Sequence, residues 1–235
     1  MSIARNVALI RARIAEAALD AGRKPEEVQL CAATKTNPTE SIRQAIAAGV
    51  DLCGENRVQE LLEKQPQGAY VGVPIHLIGH LQKNKAKQVV GKVDMIESVD
   101  SIQLLELLDR LAREQGIRQD ILLEVNLAGE ASKTGFSPEA VLPAALDMEK
   151  YPGLRLRGLM AIPPVALEPG QNRPFFAKLR NLFIDTKLKT YDNDTIDCLS
   201  MGMSGDYLDA IAEGATLVRV GTAIFGPRSY PTPGQ

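Results

Sequence analysis

The chain has 235 residues, of which 45% are hydrophobic and 24% are charged, and its formal net charge is −2. This length suffices for one substantial hydrophobic core, so we predict a single domain over residues 1–235 with a loose tail at 230–235. The near-neutral charge and the absence of Trp argue against nucleic acid as a partner.

A helix is predicted first, at residues 2–22. Its apolar side chains recur at helical spacing, at Ile3, Val7, Ile10 and Ile14. Charged residues interrupt this segment, which is unlike a signal peptide, and no stretch is apolar over the length of a membrane span. The three cysteines lie far apart, without the spacing of a disulfide framework or a zinc site, at Cys31, Cys53 and Cys198. We therefore expect reduced thiols and a cytoplasmic protein without a membrane partner.

Eight strand-like segments follow, and helical patterns separate them. The strands are predicted at residues 28–34, 50–54, 74–79, 93–98, 120–127, 154–162, 195–201 and 216–222. Further helices are predicted at residues 40–49, 56–64, 84–92, 101–116, 137–150, 173–189 and 205–214. Mostly apolar strands that alternate with helices indicate a parallel sheet covered by helices. Eight such units in this length predict a closed (β/α)8 TIM barrel with an extra N-terminal helix.

An open, doubly wound α/β sheet is the alternative fold. The GxGxxG turn that usually follows the first strand of a dinucleotide-binding sheet is missing, which weakens the dinucleotide version of that alternative. In a barrel, the functional site should lie at the carboxyl ends of the strands. Polar residues do follow those ends, among them Lys35, Glu55, Asn56, His80, Asp100, Asn126, Ser200, Asp206 and Arg219.

Lys35 ends the first strand, in the stretch CAATKTNP at residues 31–38. Side chains alternate along a strand, so Cys31, Ala33 and Lys35 share one face, and small neighbours would give an inward lysine room. A lysine that is partly desolvated there loses its proton more easily, and its neutral amine can form a Schiff base with a carbonyl compound. A lysine that extends from a strand end into solvent is the alternative interpretation.

A phosphate site is predicted after the last two strands. We expect Ser204 to be the N-cap of a helix with Gly205 at its first position, and we expect Gly221 and Thr222 at a second strand-to-helix turn. Backbone N–H groups and hydroxyls at two such turns suit a phosphate, although ordinary capping is the alternative.

Arg219 has the same inward parity as Gly221 and lies deeper in the barrel. There it could contact the pyridine nitrogen of pyridoxal 5′-phosphate (PLP) or form an ion pair within the barrel. A phosphosugar aldolase would also use a lysine and a phosphate site, but it needs an acid/base pair. Glu55, Asp100 and Asp206 are available for that role, and the sequence favours no pair among them.

The strand-end motifs together resemble one known family. They are ATKTNP, GENRVQE, IHLIGHLQKNKAK, SVDS, LLEVNLAGEASKTGF, GLMAIPP, LSMGMSGDY and VRVGTAIFG. In this order, over nearly the whole chain, they resemble the PLP homeostasis protein family of the YggS/PROSC type, which is similar to the barrel domain of alanine racemase.

The resemblance implies a PLP site. Lys35 would hold PLP as a covalent aldimine and Asn56 would lie against its ring, while Arg219 would face the pyridine nitrogen. The remaining residues implied are four that hold the phosphate, Ser204, Gly205, Gly221 and Thr222, and two that line the pocket, Ser200 and Met201. His80 and Lys133 fall on family motifs near the mouth and receive no role.

The same resemblance favours a PLP-binding protein over an enzyme. A permanently charged Arg219 disfavours protonation of the ring nitrogen, which makes PLP a weaker electron sink. The second domain that supplies a base in alanine racemase is not expected here, because the chain ends shortly after the eighth strand. We expect a monomeric protein of vitamin B6 and amino/keto acid homeostasis without catalytic activity, with PLP and apo PLP-dependent enzymes as partners. A PLP-dependent amino-acid racemase of loose specificity is the alternative.

Overall fold

The protein forms a closed barrel of eight parallel strands, each paired with the next in chain order. This computed structural model describes residues 2–130, 133–190 and 195–227, so the tail predicted at 230–235 lies outside the described residues. The strands are β1 (Gln29–Ala33), β2 (Leu52–Glu55), β3 (Ile75–Leu77), β4 (Met95–Val99), β5 (Gln119–Glu124), β6 (Leu154–Met160), β7 (Cys198–Met203) and β8 (Leu217–Val220). β1 also pairs with β8, which confirms the barrel and excludes the open sheet.

Helices cover the outside of the barrel. They are α1 (Ile3–Asp20), α2 (Thr39–Ala47), α3 (Val58–Lys64), α4 (Ile102–Glu114), α5 (Pro138–Leu146), α6 (Arg173–Lys189), α7 (Tyr207–Ala212) and α8 (Thr222–Phe225). The helix predicted at residues 84–92 is instead a short 3₁₀ helix at Lys83–Gln88. Val89 and Val90 turn into the core after it, and Gly91, with a φ of 76°, ends the segment.

The predicted N-terminal helix is confirmed as α1. Ser2 caps it, because its Oγ accepts a hydrogen bond from the N–H of Arg5 at 3.3 Å. Its buried face carries Val7, Ile10 and Ile14. α1 packs against α2, α7 and α8, so that it joins the first and last units of the barrel.

Strand residues alternate between two apolar layers. One set points outward to the helices and includes Leu30 and Ala32 of β1. The other set fills the barrel interior, and its members are Cys31, Leu52, Met95, Leu122, Met160, Cys198 and Leu217. The alternation predicted for β1 is therefore confirmed, and residues beyond this interior layer face the mouth at the carboxyl ends of the strands.

No helix in the described ranges has the length and apolar character needed to cross a membrane. Whether residues 1–235 behave as one domain stays a prediction. Because the barrel is closed, the carboxyl ends of all eight strands meet at one end of it.

The packing between α6 and the barrel can be tested with Phe176, whose side chain is fully buried. We expect Phe176→Ala to lower the free energy of unfolding by about 3–5 kcal/mol, because it leaves a cavity in the outer layer. Leu188→Ala is the matched control on the same helix, since Leu188 is 74% exposed. Chemical denaturation monitored by circular dichroism measures both. Equal losses in the two variants would contradict this packing.

Candidate functional site

A cavity of roughly 500 Å³ opens at the carboxyl ends of β1, β7 and β8. Its volume lies within the range of small-molecule sites. Six of the residues predicted or implied as ligands line it: Lys35, Ser204, Gly205, Arg219, Gly221 and Thr222. Residues from both ends of the sequence therefore meet at one opening, as the barrel topology predicts.

Lys35 lies in a tight turn directly after β1. The N–H of Asn37 donates to the carbonyl of Thr34 at 3.1 Å, which closes the turn. The carbonyl of Lys35 accepts hydrogen bonds from Thr36 Oγ1 at 2.6 Å and from Asn37 Nδ2 at 3.0 Å. Thr36 has a φ of 63°, and no other non-glycine residue in the described ranges has a positive φ. A β-branched residue in this region stores about 1–3 kcal/mol of strain, so the surroundings must hold the turn in place.

The turns after β7 and β8 touch each other through Ser204. Its Oγ accepts a hydrogen bond from the N–H of Gly221 at 3.2 Å and another from the N–H of Ala223 at 3.4 Å. Both distances exceed the commonest value of about 2.9 Å for such bonds. Gly221 is the N-cap of α8, and Thr222 is its first residue, as predicted.

The prediction that Ser204 is the N-cap of the helix after β7, with Gly205 at its first position, is wrong. α7 begins at Tyr207, and its N-cap is Asp206. The N–H of Asp206 donates to the carbonyl of Met203 at 3.0 Å, and Asp206 Oδ1 accepts from the N–H of Met203 at 2.7 Å. These two bonds close a turn that places Ser204 and Gly205 before the helix, with Ser204 bonded to the start of α8.

Arg219 is 3% exposed and reaches from β8 across the barrel interior. Its Nη1 donates to Ser200 Oγ, and its Nη2 donates to the carbonyl of Ala161 at 2.9 Å. Ser200 Oγ in turn donates to Glu97 Oε2 at 2.6 Å. Glu97 lies 3.6 Å from the guanidinium, so the ion pair considered from the sequence is present as well.

Glu97 is fully buried and neutralises Arg219. Burial alone would raise the pKa of its carboxyl group, but the hydrogen bond and charge of His76, the charge of Arg219 and the hydrogen bond of Ser200 lower it. His76 Nδ1 lies 2.7 Å from Glu97 Oε1. Sequence reasoning missed Glu97, although Met95 points inward and a carboxylate two residues later on the same strand face was readable from the alternation.

Ser200 and Met201 were both expected to line the pocket, and the structure separates them. Ser200 points inward and carries the hydrogen bonds to Arg219 and Glu97. Met201 packs in the outer layer against the helices, because neighbouring residues of a strand face opposite sides. The expectation for Met201 is therefore wrong.

Asn56 follows β2 and does not line the cavity of Lys35. By strand alternation it shares the inward face of Leu52 and Gly54. Its Oδ1 is buried and has no hydrogen-bond partner within the described part of the chain. Gly79 packs against its backbone, since a Cβ there would lie 2.3 Å from the Asn56 carbonyl oxygen. A buried acceptor without a partner carries an energetic cost, and the described residues supply no donor for it.

His80 belongs to a second cavity of roughly 400 Å³ elsewhere on the mouth. Its Nδ1 lies 3.1 Å from Asp100 Oδ2. Burial and then the charge of Asp100 raise the pKa of the nearby Glu124. Lys133 is paired with Glu130 at 2.8 Å and lines neither cavity.

The three carboxylates considered for the acid/base pair of an aldolase lie elsewhere than in the lining of the Lys35 cavity. Glu55 is fully buried in the outer layer, and Asp100 pairs with His80. Asp206 closes the turn after β7 and accepts from Asn172 at 2.7 Å. Among the described residues, none of these three carboxylates lines the cavity.

Comparisons with known proteins find relatives over nearly the whole chain. The family model of the alanine racemase N-terminal domain matches residues 2–229. The pyridoxal phosphate homeostasis protein of Pseudomonas aeruginosa is 43% identical over 233 residues, which cover 99% of this chain and 98% of that protein. The protein of the same name from Aquifex aeolicus is 40% identical and covers 98% of this chain and 100% of its own.

Solved structures show the same architecture. PipY of Synechococcus elongatus, determined with PLP bound, has a TM-score of 0.81 at 36% identity and covers 96% of this chain and 100% of its own. Alanine racemase of Clostridium difficile shares the fold alone, with a TM-score of 0.71 at 16% identity over 97% of this chain and 58% of that enzyme. The chain therefore belongs to the pyridoxal phosphate homeostasis protein family, whose barrel is that of the alanine racemase N-terminal domain.

Proposed function

We propose that this protein binds PLP through a Schiff base to Lys35 and takes part in PLP homeostasis as a carrier rather than as an enzyme. The observation that carries the proposal is that Lys35, Arg219 and the turns after β7 and β8 line one cavity. PipY, which is 36% identical and was determined with PLP bound, supports it.

The residues of the mouth fit this cofactor. The N–H groups of Gly221 and Ala223, now bonded to Ser204 at 3.2 and 3.4 Å, suit a phosphate oxygen. Thr222 and Gly205 border the same opening. Asn56, which the resemblance implies lies against the ring, does not line this cavity, and its place beside the cofactor stays a prediction.

When bound, PLP supplies an aldehyde that an amine can attack and a ring that withdraws electrons. Lys35 would hold the cofactor: its neutral Nζ would form a C=N bond to the aldehyde carbon, and the aldehyde oxygen would leave as water with the two amine protons. Arg219 would face the ring nitrogen as a hydrogen-bond donor and, because it keeps its own proton, would leave that nitrogen uncharged. Glu97 keeps the guanidinium neutralised within the barrel.

A racemase of loose specificity is the second candidate, favoured only by the barrel shared with alanine racemase. Racemisation requires groups that exchange a proton on both faces of the substrate carbon. In the described part of the cavity lining, the ionisable side chains are Lys35 and Arg219, of which only the lysine can act as a base at neutral pH. We therefore place the carrier role first.

The cellular setting is part of the same proposal. We propose a single-domain, cytoplasmic monomer with PLP and apo PLP-dependent enzymes as partners. Three buried free thiols are typical of proteins from reducing compartments. A closed barrel leaves no strand edge that needs a second copy.

Lys35→Ala tests the covalent link. We expect the wild-type protein to be yellow and to yield, after borohydride reduction and proteolysis, a Lys35 peptide whose mass is increased by the reduced cofactor. Lys35→Ala should be colourless and lack the adduct, because no other amine occupies this position. Lys87→Ala, on an exposed lysine, is the matched control. An adduct of equal yield in Lys35→Ala would contradict the assignment.

Delivery can be tested by mixing the PLP-loaded protein with an apo PLP enzyme and following the recovery of activity. We expect recovery faster than that given by free PLP at the same total concentration, because a carrier would transfer PLP directly to the apo-enzyme. Lys35→Ala incubated with the same amount of PLP is the control. Recovery no faster than with free PLP would count against delivery.

The absence of racemisation predicts how amino acids behave in heavy water. We expect no deuterium at the α-carbon of any member of a broad panel of amino acids after incubation with the loaded protein. Nuclear magnetic resonance measures the exchange, with alanine racemase as the positive control. Exchange that depends on Lys35 would favour the racemase.

A further inference from the structure

The turn that carries Lys35 is held from the side of the helices by a cluster of charged and polar side chains. We call this cluster, Glu55, Glu60, Lys64 and Tyr70, the outer ionic cluster. It lies between the ends of β1 and β2 and the helix α3, on the opposite face of the sheet from the cavity. None of its members lines that cavity.

The cluster binds both peptide groups that flank Lys35. Lys64 Nζ donates to the carbonyl of Thr34 at 3.1 Å, on the peptide before Lys35. Glu60 Oε2 accepts from the N–H of Thr36 at 2.7 Å, on the peptide after Lys35. Lys64 and Glu60 are themselves paired at 2.7 Å. One ion pair thus fixes the peptide planes on both sides of the Lys35 Cα, and with them the direction of its side chain.

The conformation of Thr36 needs such a restraint. A φ of 63° is unfavourable for a β-branched residue. A flip of the peptide plane between Lys35 and Thr36 would change the φ of Thr36 and turn its N–H away from Glu60. Burial would raise the pKa of Glu60, but the hydrogen bonds from Lys64 and from the N–H of Thr36 lower it, so the carboxylate remains charged at neutral pH.

Glu55 anchors the cluster to the sheet. It is fully buried, and its Oε2 accepts from Lys64 at 2.9 Å, from Tyr70 at 3.1 Å and from the hydroxyl of Thr34 at 3.0 Å. Its Oε1 accepts from the N–H of Asn56 at 2.9 Å. The same cluster therefore also holds the backbone of Asn56. A buried ion pair contributes little to stability compared with apolar residues of similar size, so the role we infer for this cluster is the backbone geometry that its contacts hold.

We propose that Glu60 is a positioning residue. Together with Lys64 it keeps Thr36 at its positive φ, and this backbone conformation directs the Lys35 amine toward the carbonyl group with which it reacts. The inference rests on the proposed function, because it concerns the reaction of Lys35 with PLP. Glu60 touches no cofactor and acts only through the backbone of Lys35.

Glu60→Ala tests the proposal, because it removes the hydrogen bond from the N–H of Thr36 and the ion pair with Lys64. We expect the rate constant of Schiff-base formation, followed by visible absorbance after mixing with PLP, to fall about tenfold, because the amine loses its orientation. Glu60→Gln should lie between the alanine variant and the wild type, since one amide oxygen can still accept both bonds without the charge. Glu63→Ala, on an exposed carboxylate of the same helix, is the matched control and should react like the wild type.

Binding of pyridoxine 5′-phosphate separates positioning from general damage to the site. This compound carries the ring and the phosphate but no aldehyde, so it cannot react with Lys35. Its dissociation constant, measured by calorimetry, should be unchanged in Glu60→Ala. A parallel loss of pyridoxine 5′-phosphate binding would overturn the positioning role, and so would a wild-type rate of Schiff-base formation in Glu60→Ala.

A double variant tests whether Glu60 acts through the backbone conformation of Thr36. Glycine adopts positive φ without a steric cost. Glu60→Ala combined with Thr36→Gly should therefore recover part of the rate lost in Glu60→Ala alone. No recovery in a double variant that circular dichroism shows to be folded would contradict a role through Thr36. If the wild-type protein itself forms no reducible adduct at Lys35, the proposed function fails, and that result is obtained before any variant of Glu60 is made.

Discussion

β1 and β8 lie at opposite ends of the chain, and their parallel pairing, with Cys31 opposite Arg219, closes the barrel. Every residue of the main cavity depends on this closure. It brings the turn after β1 to the turn after β8, so closely that a Cβ on Gly221 would lie 3.4 Å from Ala33. An open sheet with the same strands would leave the lysine and the two glycine turns far apart. The α1 helix packs on the units at this junction and supports it from outside.

Electrostatics then divides the mouth into two regions. Inside the barrel, Glu97 compensates Arg219, so a guanidinium can be buried without a partner from a ligand. Outside the sheet, the outer ionic cluster, with Glu55 and Lys64 paired at its centre, holds the backbone from which Lys35 extends. Arg219, which lines the cavity, and Lys64, which holds the backbone, are thereby kept on opposite faces of the same sheet. Each carboxylate serves one region only.

Much of the barrel and of its mouth could be predicted from the sequence, because the alternation of side chains along strands and the spacing of apolar residues in helices are local patterns. Alternation along β1 and β8 placed Cys31 inward and gave Arg219 the parity of Gly221, and the helix patterns gave the order of the barrel. Applying the same alternation strictly to β7 would have separated Ser200 from Met201, so that error was avoidable. The other features were not readable. Glu60 is 24 residues from the peptide it holds, and Lys64 is 30 residues from Thr34, so only the closed fold reveals these contacts. The position of Ser204 depends on a turn closed by Asp206, which a capping pattern does not distinguish from a helix start.

Cys31 lies in the interior layer of the barrel, on β1, and Lys35 follows the end of the same strand and lines the cavity. Thiols and amines both attack aldehydes, and two such groups near one opening would compete. Burial raises the pKa of the Cys31 thiol well above its usual value, with a further contribution from the charge of Glu97. The thiol therefore stays protonated and out of reach, while the lysine stands at the opening. Depth in the barrel thus separates the two nucleophiles: the thiol is enclosed in the packing, and the amine lines the cavity in which the proposed carbonyl ligand would bind.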